Sequence, residues 1–189
     1  DNDMMVTPEF IESHYNGHKD KKNIVLLGKR KSLCEFDLTI LPKEVVSSNS
    51  DMLEFLPYYK DVRDPFLVDI NKDVSECETP WMFLYSHNFS LSKNMFDKVN
   101  GFDLDFGESW GYEDLELGYR LFIKGAEFHV DENIIAYHQP HLEQSKTEQF
   151  YALTNQKLFY VLHPCFEVEL YVSLYETFDI HYQNIRSIK

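Results

Sequence analysis

The sequence predicts an α/β fold in which a mixed β-sheet is flanked by helices. Two observations support this prediction. The chain contains short apolar runs typical of buried strands, and these runs alternate with stretches of helical periodicity. The run IVLL at 24–27 is a candidate buried strand, and residues 113–124 repeat apolar side chains at helical spacing. Of the 189 residues, 43% are hydrophobic and 15% aromatic, which is enough for one domain with a sizeable core.

The first part of the chain contains one predicted helix and one predicted strand. Thr7 is a good N-cap and Pro8 suits the first helical position, so a helix is expected to start there and to give way to a turn at Gly17. Residues 23–32 predict a strand that ends in a basic segment. The stretch 34–79 is irregular, with room for one or two short helices.

A strand followed by a short helix is expected next. The aromatic and apolar run 81–92 predicts a buried strand. Ser92 is a good N-cap for a helix over 93–99, and Asn100 with Gly101 is expected to end that helix in a left-handed turn.

The clearest helix signal lies in the second half of the chain. Apolar residues at helical spacing predict a helix over 113–124 that ends at Gly125, and Glu116 with Arg120 is a favourable i,i+4 ion pair. Residues 126–140 then predict one or two strands.

The tail predicts a helix over 148–162 and an aromatic, strand-like stretch over 166–178. We therefore expect a main domain over 1–143 and a C-terminal extension over 144–189.

The charge and the cysteines limit the classes of function. The net charge of −14 disfavours a nucleic-acid partner, since phosphate binding needs clustered Lys and Arg. No apolar run approaches the ~18–20 residues of a membrane helix, so no integral membrane segment is expected. The three separated cysteines predict neither a thiolate zinc site nor a disulfide framework, which indicates a reducing compartment, the cytoplasm.

Two carboxylates stand at the start of the chain. Asp1 and Asp3 lie two residues apart in the sequence DND. Mn²⁺ and Mg²⁺ prefer oxygen ligands and usually share them with substrate phosphates. The pair therefore predicts a metal site, and the alternative is an ordinary solvated terminus.

Two more carboxylates open the helix at 113. The helix dipole favours ionised Glu113 and Asp114 at this position, and an ionised carboxylate can accept a proton from an attacking hydroxyl. The preceding Trp110 could stack on the apolar face of a sugar. The alternative is that the two acids only cap the helix.

His138 follows an apolar strand, where ligands gather in open α/β sheets. A neutral imidazole at this position could complete a metal site with Asp3. The alternative is a structural histidine at the surface or in the core.

These segments in this order resemble nucleotide-sugar glycosyltransferases with the GT-A fold. The matching pieces are NFSLSKNMFDKVNGFD (88–103), WGYEDLELGYRLFIKG (110–125) and AYHQ (136–139). DNDMMVTPEFIESH (1–14) is similar to the family's DxD segment and the helix that follows it. The similarity is to family 2 enzymes of the chondroitin-polymerase type and to the C-terminal half of β-1,4-galactosyltransferases. It implies that the N-terminal half of the family's domain would precede residue 1.

The resemblance implies a role for each matching residue. Asp3 and His138 would bind Mn²⁺ or Mg²⁺, and Asp1 would lie near the ribose or a metal-bound water. Asp114 would be the catalytic base, and Glu113 would bind sugar hydroxyls. The remaining matched residues would shape the sugar sites: Trp110, Gly111 and the turn formed by Gly101, Phe102 and Asp103.

The function implied is that of a metal-dependent, inverting glycosyltransferase. Its partners would be a nucleotide-sugar donor, such as UDP-linked galactose, N-acetylgalactosamine or N-acetylglucosamine, and a glycan or glycoconjugate acceptor. We expect a cytoplasmic enzyme, and the alternative location is peripheral to the membrane. We also expect a homodimer formed through an exposed sheet edge. The alternatives are a non-catalytic sugar-binding or scaffolding module and a glycosidase. Adjacent Glu113 and Asp114 do not give the glycosidase its two facing carboxyl groups.

Overall fold

The computed structural model describes most of the chain up to residue 173. For residues 50–52 and 146–152 only the backbone is described. The described ranges are 3–34, 50–61, 63–70, 73–107, 111–140 and 146–173.

A mixed five-stranded sheet, curled into a half-barrel, forms the centre of the described structure. Its strand order is β1-β5-β2-β3, with β4 pairing on β2 as well. The strands are β1 (Met4–Val6), β2 (Ile24–Leu33), β3 (Tyr58–Tyr59), β4 (Phe89–Leu91) and β5 (Glu127–His138).

Helices flank this sheet, which confirms the predicted α/β class. They are α1 (Phe10–Gly17), α2 (Asp64–Asp69), α3 (Lys93–Lys98), α4 (Glu113–Ile123), α5 (Lys146–Leu162) and α6 (Phe166–Ser173). Within the described ranges, 3₁₀ turns lie at Ser50–Phe55, Val74–Glu76, Pro80–Phe83 and Leu104–Phe106.

The parallel strands β2 and β5 are the two central strands of the sheet. Residues 24–28 are buried in succession, as expected for a strand covered on both faces. The register shifts between Gly28 and Lys29, after which Ser32 pairs with His138. Strand β1 pairs antiparallel with the end of β5, so Met4 also lies opposite His138.

Most of the local helix signals are confirmed. The Ser92 hydroxyl accepts a hydrogen bond from the Met95 N–H and caps α3, and Asn100 and Gly101 both have positive φ at its end. Helix α4 ends before Gly125, which also has positive φ. The cap predicted at Thr7 is wrong. Helix α1 begins at Phe10, after a turn in which the Phe10 N–H donates to the Thr7 carbonyl.

The strand predicted over 81–92 is wrong for most of its length. Pro80–Phe83 forms a 3₁₀ turn, and only Phe89–Leu91 forms a strand. Residues 81–84 are apolar because all four are fully buried, whichever way they point. They lie directly under α4, where a Cβ on Gly118 would come within 3.1 Å of the Trp81 carbonyl oxygen.

The strand-like stretch predicted over 166–178 is also wrong where the structure describes it. Phe166–Ser173 is helix α6, and its buried residues Val168 and Tyr171 stand three apart, at helical spacing. They join Phe159 of α5 in the core cluster that contains Trp81. The division of the chain at residue 143 stays a prediction.

Candidate functional site

One candidate metal-binding pair lies where β1 meets the end of β5. The Asp3 carboxylate Oδ2 lies 3.2 Å from His138 Nε2, and both side chains are partly exposed. The backbone closes the same corner, because the Gln139 N–H donates to the Asp3 carbonyl at 2.9 Å. The structure thus brings these two predicted residues together, whereas Asp1 lies outside the described residues.

The geometry of this pair is compatible with a divalent cation. Two neighbouring ligands of an octahedral site, each about 2.1 Å from the metal, stand about 3 Å apart. Within the described ranges, no group of three or more His, Cys, Asp or Glu side chains is arranged to hold a metal. Asp3 and His138 would therefore need further oxygen ligands, which substrate phosphates commonly supply.

The candidate base Asp114 stands in the first turn of α4. Its Oδ1 accepts from the Leu115 N–H at 2.8 Å, and its Oδ2 accepts from the Ser86 N–H at 3.1 Å. Burial and the neighbouring Glu113 charge together raise the pKa of Asp114 to about 6, although the backbone N–H groups oppose the shift. A carboxyl group with this pKa changes its protonation state just below neutral pH.

The entry to α4 has an unusual backbone conformation. Gly111 and Tyr112 both have positive φ, with values of 89° and 70°. The Gly111 carbonyl accepts a hydrogen bond from the Asn155 side chain of α5 at 2.8 Å, which fixes this turn. The Glu113 Oε2 atom is buried and has no hydrogen-bond partner among the described residues. Trp110 lies outside the described residues.

The predicted sugar-site turn at 101–103 is held by hydrogen bonds from a side chain of α4. The Arg120 guanidinium donates to the carbonyls of Val99 and Gly101, and it forms a two-pronged ion pair with Glu116. The Asp103 carboxylate accepts from the Asp105 N–H, so in this structure it caps the 3₁₀ turn that follows.

Phe102, between Gly101 and Asp103, is 37% exposed, and its ring packs edge-on against Phe96 at 5.9 Å. Arg120 thus anchors the turn at a point two helical turns beyond the N-terminus of α4. Asp114 stands at that N-terminus.

Several polar residues of the site were missed by the sequence analysis. Asp61 and Arg63 form a buried ion pair, and the Arg63 guanidinium reaches His87 at 3.4 Å. The pKa of His87 is lowered to about 2, first by burial and then by the charges of Arg63, Arg30 and other neighbours that include His138. Asp61 and Arg63 fall in the stretch predicted to be irregular, and His87 falls in the wrongly predicted strand, so no local pattern indicated them.

Arg30 is placed at the site by the register of the sheet. Ser32 pairs with His138, and side chains alternate along a strand, so Arg30 lies on the same face as His138. The pKa of the Arg30 guanidinium is lowered by burial, and the charges of Asp61 and Asp114 act on it. The Asp3–His138 pair and Asp114 therefore belong to one polar region.

Comparison with known proteins gives a consistent family. Residues 68–143 match the family described as the N-terminal domain of galactosyltransferase. Validoxylamine A glucosyltransferase from Streptomyces hygroscopicus subsp. jinggangensis is 32% identical over 130 residues, which are 69% of this chain and 30% of that protein.

Two polysaccharide synthases are also similar. Chondroitin synthase from Pasteurella multocida is 29% identical over 164 residues, which are 79% of this chain and 17% of that enzyme. Chondroitin synthase from Escherichia coli is 28% identical over 163 residues, which are 79% of this chain and 23% of that enzyme. The chain thus spans less than a third of each of these relatives. These matches, together with the mixed sheet and its flanking helices, support a GT-A-like glycosyltransferase fragment.

Proposed function

We propose that the protein is a metal-dependent, inverting glycosyltransferase that moves a sugar from a nucleotide-sugar donor to a glycan or glycoconjugate acceptor. The donor class we propose is a UDP-linked galactose, N-acetylgalactosamine or N-acetylglucosamine. The observation that carries the proposal is the Asp114 carboxylate, which backbone N–H groups orient and whose pKa is raised to about 6.

The proposed reaction assigns one task to each group of residues. Asp114 accepts the proton of the acceptor hydroxyl, whose oxygen attacks the anomeric carbon while the bond to the nucleoside diphosphate breaks. Since one carboxylate base acts without a protein nucleophile, the product has inverted configuration. Glu113 binds sugar hydroxyls, and Asp3 and His138 would hold the divalent cation. A bound Mn²⁺ or Mg²⁺ neutralises the charge of the leaving diphosphate.

The location of the enzyme and its oligomeric state stay predictions. No helix in the described part of the chain is both long and apolar enough to cross a membrane. The homodimer is tested by light scattering on the purified protein, where a monomer mass at micromolar concentration would contradict it.

Nucleotide and metal should stabilise the protein together. We expect the melting temperature to rise by about 5–10 °C when Mn²⁺ and UDP are both present at about a hundred times their dissociation constants. His138→Ala should lose this rise, because it removes one of the two proposed protein ligands. The matched control is His129→Ala on the same strand, which should keep it. An equal rise in both variants would contradict the assigned metal site.

The rate should depend on pH through Asp114. We expect kcat/KM to increase about tenfold per pH unit below pH 6 and to level off above it, because the base must be ionised. Glu113→Gln removes a neighbouring negative charge that raises the pKa of Asp114, so the acid limb should move to lower pH. Initial rates measured from pH 4.5 to about 8 test both statements. An acid limb that stays in place, or moves to higher pH, would contradict the assignment.

A further inference from the structure

A buried ion pair contacts the segment that also contacts the candidate base. The side chains of Asp61 and Arg63 are 2% and 3% exposed. Arg63 donates to both carboxylate oxygens of Asp61, at 3.0 and 2.7 Å, and its backbone N–H adds a third bond at 2.9 Å. Although burial opposes ionisation of Asp61, the Arg63 hydrogen bonds and charge outweigh it and lower the pKa of Asp61 to about 2. The pair is therefore ionised at all working pH values.

Such a pair needs a reason other than stability. Removing two charges from water costs about as much as their attraction returns, and apolar replacements of similar volume are often as stable. A fixed orientation for neighbouring groups is one use of a buried pair. The other contacts of Arg63 indicate which groups these are.

Arg63 holds the segment 83–87 at three points. Its Nη1 donates to the Phe83 carbonyl at 2.8 Å, and its guanidinium carbon lies 5.1 Å from the centre of the Tyr85 ring. Its Nη2 lies 3.4 Å from His87 Nε2. Because a guanidinium has no acceptor, Nε2 must be the acceptor and the imidazole proton lies on Nδ1.

Asp114 contacts the same segment. Ser86, between the two aromatic rings that Arg63 touches, donates its backbone N–H to Asp114 Oδ2 at 3.1 Å. The rings of Tyr85 and His87 are stacked, with an interplanar angle of 4°. The position of the Ser86 N–H therefore depends on how Arg63 holds the residues on either side.

We propose that the buried Asp61–Arg63 pair is a positioning element that fixes residues 83–87 so that the Ser86 N–H orients the Asp114 carboxylate and stabilises its ionised form. The proposal deepens the proposed function, because it rests on Asp114 as the base. Asp61 and Arg63 need not touch substrate.

The electrostatic surroundings of Asp114 make this proposal testable. The charged and titratable groups that act on Asp114 or respond to its charge are Glu113 on its own helix, Arg30 on β2, Tyr85 in the held segment and Tyr171 on α6. The Asp61–Arg63 pair has no net charge, so removing both members leaves the net charge of the site unchanged. A change at Asp114 would then arise from the lost Ser86 hydrogen bond.

The experiment compares wild-type protein with the double variant Asp61→Leu/Arg63→Met. This variant is chosen because apolar replacement of both partners should preserve folding, whereas a single replacement leaves a buried charge. The ¹³C NMR signal of the Asp114 carboxyl group, assigned with Asp114→Asn, is followed as the pH is changed. We expect its titration midpoint to rise by about one pH unit in the double variant, with an unchanged melting temperature.

The matched control removes a neutral pair elsewhere. Lys93→Met/Asp97→Leu deletes the exposed ion pair of α3 and should leave the Asp114 midpoint in place. If the Asp61→Leu/Arg63→Met protein folds and its Asp114 midpoint equals that of the wild type, the positioning role is overturned. If the double variant does not fold, Arg63→Lys provides the same measurement, since it keeps the charge and loses the planar fork.

The outcome separates this proposal from the proposed function. Wild-type protein that shows no transfer from any UDP-sugar would overturn the glycosyltransferase proposal, and the NMR midpoint would still test the positioning role. Conversely, an active wild type with an unmoved midpoint would overturn only the positioning role.

Discussion

Replacing Asp114 with Asn should reduce kcat by about 10²–10⁴-fold, the usual contribution of a general base. The amide cannot accept a proton from the acceptor hydroxyl at any pH in the working range. It retains the size of the carboxyl group and one oxygen that can accept a backbone N–H, so the fold should persist. The measurement is initial-rate release of UDP with a panel of UDP-sugars and glycan acceptors.

Two comparisons make this result specific. Asp97→Asn, an exposed carboxylate on α3, should keep the wild-type rate. The Asp114→Asn protein should also keep its thermal shift with Mn²⁺ and UDP, because Asp114 is assigned no role in binding either one. Turnover above a tenth of wild type would show that Asp114 is not the base. A wild-type protein that binds UDP-sugar but never transfers it would support the non-catalytic alternative.

Replacing Trp81 with Ala should cost about 3–5 kcal/mol of folding free energy, the largest stability effect we expect from one side chain. Trp81 is fully buried, and its ring meets those of Tyr119, Phe159 and Tyr171 edge-on at 5.5–5.7 Å between centroids. The change would leave a cavity between α4, α5 and α6, and α5 holds the α4 entry through the Asn155 side chain. Urea unfolding, followed by intrinsic fluorescence or circular dichroism, measures the loss.

A smaller ring at the same position provides the matched comparison. Trp81→Phe keeps most of the packing and also removes an indole N–H that is buried with no hydrogen-bond partner among the described residues. It should therefore cost less than half as much as Trp81→Ala. Leu104→Ala, at a side chain that is 87% exposed, should change the free energy of unfolding by less than about 0.5 kcal/mol. Equal losses in Trp81→Ala and Leu104→Ala would show that α5 and α6 do not depend on this core.

The local features of the fold were predictable from sequence because their causes lie within a few residues. The Ser92 hydroxyl caps a helix three residues on, and Gly125 ends another through its own backbone freedom. Glu116 and Arg120 pair across one helical turn, and the predicted ion pair is present. The order of the glycosyltransferase-like segments also lies in the sequence, which is why the family was predicted.

Errors arose where burial came from distant parts of the chain. Residues 81–84 are apolar because α4 and the tail helices cover them, and an apolar run of this length is equally typical of a buried strand. The aromatic segment 166–173 forms a helix because its buried face packs against Trp81. Neither packing partner is visible within a short window of sequence.

The sequence by itself determined the α/β class, the helix limits around the candidate base and the glycosyltransferase family, because these follow from short-range patterns and residue order. Only the tertiary structure decided that Asp3 meets His138 across two strands and that Arg63 reaches the segment beside Asp114. These contacts depend on sheet register and on loop closure over dozens of residues. Local sequence preferences set neither the sheet register nor the loop closure, because the distant contacts form only when the whole core packs.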